Sequence, residues 1–306
     1  MFGTTSIKAD SQKSCAAEMR SLDRSHRREV MSLLCFDRIA RKQEFLIDKY
    51  HDTEDWNETA YFMLLRSLDI RKNRAMYERL AKVLPYRYLS KVGYDLRSVE
   101  ALLLGCAGFL PRLSIVFRDD KHIAELCSIF EYNSHKFDLE RMRIEEWQLV
   151  GIKGDNHPVV RLLQLASVIS QHEHLLNDIL ACRTKTEVER LFCNSSIPKW
   201  ATRLLSDEGY NGAFTRTKAV MLGINVVAQM EILYSEYTMR RDLDSRGIEL
   251  LEQLPAESNL FISRWSKLGV KAENALETQA LLQLSSEYCA NLECDRCPFR
   301  KFMDAE

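Results

Sequence analysis

Glycine and proline are scarce in this 306-residue chain, which has 11 Gly and 6 Pro. Those are about half the usual shares of ~7% and ~5%. Sheets joined by tight turns consume both residues, so the shortage points away from β architecture and toward helices. An excess of either charge is also missing: 43 Lys plus Arg stand against 44 Asp plus Glu, for a net charge of −1. A chain held to nucleic acid by its overall field would be strongly basic, so any such contact has to come from a local patch. No apolar run is long enough for a membrane. The longest, residues 219–234, is broken by Asn225, Gln229 and Glu231, whereas a span needs ~20 mostly apolar residues. It reads as a buried helix. Residues 1–9 carry no apolar core of a secretion signal, so the nine cysteines are expected to be the thiols or metal ligands of a reducing cytoplasm.

What is present suits a packed protein. The chain is 46% hydrophobic and 28% charged, which excludes a disordered polymer. Apolar residues recur at helical spacing from Val30 through Leu33, Leu34, Ile39, Leu46 and Tyr50, with no Gly or Pro to interrupt. Helices also read over 56–68, 74–83, 96–110, 122–137, 158–169, 217–237 and 275–288. Local signals punctuate them. Asp55 supplies an N-cap, His157-Pro158 opens a helix with proline at its first position, and Thr184 with Glu187 fits a capping box. Strand candidates are confined to 115–117 and 148–152. The expectation is an all-α, irregular multi-helix bundle. Residues 1–24 form a poorly ordered lead-in, 25–288 a helical domain with sub-lobes 25–137 and 158–288, and 289–306 a Cys-rich tail.

The sharpest chemistry is Cys289-x4-Cys294-x2-Cys297. A CxxC turn brings two thiolates to one ion, and a helix ending at Cys289 delivers a third. Zinc is the first choice and an iron–sulfur cluster the second, because thiolates suit both. Either needs a fourth ligand. Cys182, Cys193, His172 and His174 are candidates by residue type, and the sequence does not rank them.

Several segments resemble a known family. They include Trp56-Asn57-Glu58-Thr59-Ala60-Tyr61, the run 98–110, the run 156–166, Leu254-Pro255-Ala256-Glu257-Ser258-Asn259, Gln279-Ala280-Leu281 and the tail cysteines. The chain resembles the C-terminal, helical part of a bacterial family catalogued only as a domain of unknown function. That resemblance implies a helical fold and a cytoplasmic setting, and no activity. Members usually begin with a strand-rich, nuclease-like region that this chain lacks, so it reads as a short relative or a fragment.

Two further constellations bear on function. Arg71, Lys72, Arg74, Arg79, Lys82, Arg87 and Lys91 stand against the single acid Glu78, with Tyr77, Tyr86 and Tyr88 interleaved. Cations neutralise phosphates and aromatic rings stack on unpaired bases, so Arg71, Lys72, Arg74, Lys82 and Lys91 are the candidate nucleic-acid contacts. Asn156 and Arg161, on the first turns of a helix, form a candidate anion site. HExxH, GxSxG and paired-acid motifs are all absent. The sequence therefore favours an accessory module that binds nucleic acid or a protein, with a structural metal. The alternative is an enzyme acting on an anionic substrate near Arg161.

Overall fold

The computed structural model describes residues 3–69, 71–152, 154–205, 212–240 and 245–305, with side chains from residue 12 to 304. Among them every regular element is helical. The one β feature is an isolated antiparallel bridge between Pro255 and Asn274. In chain order the helices begin with α1 (Gly3–Ser21), α2 (Arg24–His51), α3 (Trp56–Leu68), α4 (Arg74–Val83), α5 (Tyr86–Lys91) and α6 (Leu96–Cys106). They continue with α7 (Leu110–Val116), α8 (Lys121–Phe137), α9 (Pro158–Gln171), α10 (Leu175–Ala181), α11 (Lys185–Cys193) and α12 (Lys199–Thr202). The last are α13 (Arg216–Leu222), α14 (Ala228–Thr238), α15 (Arg246–Gln253), α16 (Leu260–Lys267), α17 (Ala275–Gln283) and α18 (Pro298–Ala305). The 115–117 strand candidate falls at the end of α7, and 148–152 is an irregular connection.

Local capping sets many of the helix starts. The Asp55 side chain accepts the Asn57 N–H, Asp120 accepts those of His122 and Ile123, and Thr184 and Glu187 close the capping box on α11. Each satisfies amide groups that a helix leaves without an internal partner. His157 Nδ1 accepts the Val159 N–H ahead of α9, with Pro158 at the first helical position.

The chain divides into two compact units, one of residues 1–48 and 231–306, the other of residues 49–230. The division does not fall at 138–157, where sub-lobes 25–137 and 158–288 were expected to meet. Side chains stitch that segment into the 49–230 unit. Trp147 is buried and donates its indole N–H to the Ala107 carbonyl at 2.9 Å, and the Met142 N–H reaches the Cys106 carbonyl at 2.8 Å. Asn73 exchanges two hydrogen bonds with the Gln148 backbone, at 2.8 and 3.1 Å. A segment can be irregular in sequence and still be pinned by polar contacts to distant backbone.

In the 49–230 unit, α6 packs on both α8 and α9 and is buried from Val99 to Cys106. Gly105 lets the Phe130 ring lie flush on α6, where a Cβ would overlap it. From α3 the Glu58 carboxylate caps α5, accepting the Tyr86 and Arg87 N–H groups at 2.7 and 3.0 Å. The apolar helix expected over 217–237 is α13 and α14 joined by one π-helical stretch, Gly223–Val227. Ile224, Val227 and Leu233 on it are fully buried, as a helix apolar around most of its circumference must be. Among the described residues no single helix is long and apolar enough to cross a membrane. The nearest case, α6 with α7, bends by 104° between the two.

In the other unit, α15 and α16 pack against α17. The Trp265 ring is fully buried and donates to Ser285 Oγ at 2.7 Å. α17 runs on into a second π-helical stretch, Leu284–Cys289, and α1 packs against it. Within residues 1–24, expected as a poorly ordered lead-in, Gly3–Ser21 is helical, and Cys15, Ala16 and Met19 are buried.

Candidate functional site

The basic segment follows α3. Asp69 accepts the N–H groups of Arg71, Lys72 and Asn73, which turns the chain into α4 and holds the Asp69 carboxyl below its usual range against the opposing effect of burial. Arg71, Lys72, Lys82 and Lys91 are exposed and Arg74 is half-buried. Lys72 Nζ reaches the Val150 carbonyl at 3.3 Å, and Arg79 pairs with Glu146. Lys91, at the end of α5, has a different setting. Its ammonium lies 4.9 Å from the Tyr88 ring centre and 5.7 Å from that of Phe137. Lys136 of α8 sits 5.1 Å from the same Phe137 ring and 5.7 Å from Tyr132. Arg87 covers Tyr88 at 5.3 Å.

Lys91 and Lys136 face an open groove of about 470 Å³, lined also by Ser98, Ser128, Tyr132 and Asn133. Tyr132 is 66% exposed, unusual for so large a ring. Tyr132, Lys136 and Phe137 were missed in the sequence. They lie on a different helix from Lys91, and no local spacing ties the two helices together. A second pocket, of about 290 Å³, is lined by Asp55, Asn57, Tyr86, Tyr94, Glu173 and His174 among others. Its two carboxylates suit it poorly to a phosphate.

Asn156 and Arg161 are brought together, but inward. Arg161 is 5% exposed; its guanidinium donates to Asn156 Oδ1 and Gln164 Oε1, both at 2.9 Å, and lies over the Phe214 ring. Gln164 in turn donates to the Gly212 and Ala213 carbonyls. A second basic side chain shares this interior. Lys218 of α13 is buried and donates from Nζ to the Ser67 and Leu68 carbonyls, each at 2.7 Å, closing the C-terminal end of α3. Burial first, then the neighbouring Arg161 charge, hold the Lys218 amine well below its usual range, with Asp69 opposing. An unfolded lysine protonates near pH ~10.4. Below that pH the unfolded chain takes a proton that folded Lys218 resists, so its contribution to stability is lost as pH falls toward the folded value. The stability difference between wild type and Lys218→Met should therefore widen in favour of wild type as pH is raised toward 10, measured by urea unfolding. A difference that stays constant with pH would show that Lys218 is charged in the fold.

The tail cysteines sit in the 1–48 and 231–306 unit. Cys289 closes the second π-helical stretch, Cys294 opens a 3₁₀ turn, and Cys297 caps α18, its sulfur accepting the Phe299 and Arg300 N–H groups. Cys182, Cys193, His172 and His174, the candidates for a fourth ligand, all belong to the other unit. There Cys182 donates to the Asp178 carbonyl and His172 meets the Asp178 carboxylate at 2.8 Å. The thiol beside the tail cysteines is Cys15 of α1. No spacing rule finds a partner at the opposite end of the chain. No disulfide joins any of the nine cysteines. Among the described residues no group of three or more His, Cys, Asp or Glu side chains is placed to hold a single metal ion.

Residues 4–260 match a family described as "Protein of unknown function (DUF2851)". No curated protein and no solved structure matches the chain.

Proposed function

Because the chain belongs to the DUF2851 family, which carries no activity to inherit, we propose a function from its own surface: the 49–230 unit binds single-stranded nucleic acid along the Lys91–Lys136 groove. The observation that carries this reading is the pairing of cations with aromatic rings at an open groove. A strand lying there places phosphates on Lys91 and Lys136 and offers the exposed Tyr132 ring to an unpaired base. The neutral net charge restricts binding to this patch, so few phosphates are neutralised and both the affinity and its salt slope are modest.

Fluorescence anisotropy of a labelled single-stranded oligonucleotide tests it. Affinity should fall as salt rises, with log affinity linear in log salt concentration. Lys91→Ala with Lys136→Ala should weaken binding and reduce the salt slope by about 1 for each phosphate left without its cation. Tyr132→Ala should weaken it by about 1 kcal/mol or more with the slope unchanged, because stacking releases no counterions. Absence of binding at low salt, or wild-type affinity in the double lysine variant, overturns the reading.

A further inference from the structure

Four thiols from three segments converge in the 1–48 and 231–306 unit. Cys15 comes from the fourth turn of α1, Cys289 from the end of the π-helical stretch, and Cys294 and Cys297 from the turn into α18. α1 packs on the π-helical stretch, and the 294–296 turn packs on both that stretch and α18. An ion pair fixes the approach: Glu18, one turn beyond Cys15, meets Arg300, one turn beyond Cys297, at 2.6 Å. Every pair among the four is within electrostatic range. Cys15 feels Cys294 and Cys297, Cys289 feels the other three, and Cys297 feels Cys294. Cys15 and Cys297 are buried, and Ala16, Met19, Leu284 and Phe299 are buried in the same segments.

We propose that Cys15, Cys289, Cys294 and Cys297 ligate one [4Fe–4S] cluster, which fastens α1 to the C-terminal segment. Four thiolates are the usual ligand set of such a cluster. Zinc, at ~2.3 Å from each sulfur, would draw four thiolates to within about 4 Å of one another. Among the described residues no group of three or more His, Cys, Asp or Glu side chains is placed to hold a single ion, whereas a cubane core takes one thiolate on each of its four irons. Each thiol gives up its proton as its Fe–S bond forms, the bound iron supplying the positive charge that favours the thiolate.

The test uses the full chain purified without oxygen, then given ferric iron, sulfide and a thiol reductant that supplies the two electrons by which four ferric ions become the two ferric and two ferrous ions of the oxidised cluster, and then desalted. The expected result is a brown protein with about four iron and four sulfide per chain and a broad visible band that bleaches on reduction. Cys15→Ser and Cys289→Ser should each lose most of the retained iron. Cys35→Ser, which removes a buried thiol of α2 outside the group, should load like wild type. Alkylation of the wild type, read by peptide mass, gives a measure that needs no variant: the part-exposed Cys289 and Cys294 should be modified before loading and protected after it. A colourless wild type, one zinc held tightly by a parallel sample with no cluster formed from iron and sulfide, or full loading of Cys15→Ser overturns the proposal.

Discussion

Replacing Gly108 by alanine is expected to lower stability by about 2–5 kcal/mol, the sum of a left-handed backbone penalty of ~1–2 and a packing clash of ~1–3. Gly108 has φ of +82°, and a Cβ there would run into the Met142 carbonyl oxygen. Backbone has little freedom to give way. The same stretch is tied down by the Met142 N–H on Cys106 and the Trp147 indole on Ala107, so relieving the clash means pulling the 142–147 segment off the end of α6. Gly93 is the control. Its φ is +64°, but a Cβ at that position would meet nothing within 4 Å, so Gly93→Ala should show only the backbone penalty, about 1 kcal/mol. Urea unfolding of both variants measures the difference. Equal losses would mean that the approach of Met142 to α6 adds nothing.

Replacing Arg161 by alanine should cost about 3 kcal/mol or more, since hydrogen bonds to a charged group contribute ~1.5–3 each. The change strips the bonds to Asn156 and Gln164 and empties the space over Phe214. Arg161→Met keeps much of the stem volume and should lose less. The same pair of variants separates a structural role from an anion site at Asn156 and Arg161. A structural arginine changes the unfolding midpoint and leaves phosphate affinity, measured by calorimetry, unaltered. Phosphate binding that disappears in Arg161→Met at nearly wild-type stability would make the position a ligand site and favour an enzyme acting on an anionic substrate.

The helices and many of their starts were legible in the sequence because their causes are local. Asp55 reaches an N–H two residues on, Thr184 and Glu187 reach each other across one turn, and Pro158 needs only its own ring. The apolar run around Ile224 and Val227 forecast its burial without any knowledge of what would cover it. Lys91 was found from composition alone, as one of a basic set. Lys136 and Tyr132, which give it a groove, were not, since they belong to a helix brought alongside by packing.

The sequence by itself determined the helical class, the caps and the buried central helix. Those features depend on residue type and on spacings within a few turns. Tertiary structure alone decided that Arg161 turns inward, that 138–157 is pinned within a unit, and that α1 packs against the distant 284–289 stretch. In each case the partner lies far along the chain. Such contacts form because compact packing closes long loops, a process whose cost grows only slowly with loop length and leaves no periodic trace in the residues.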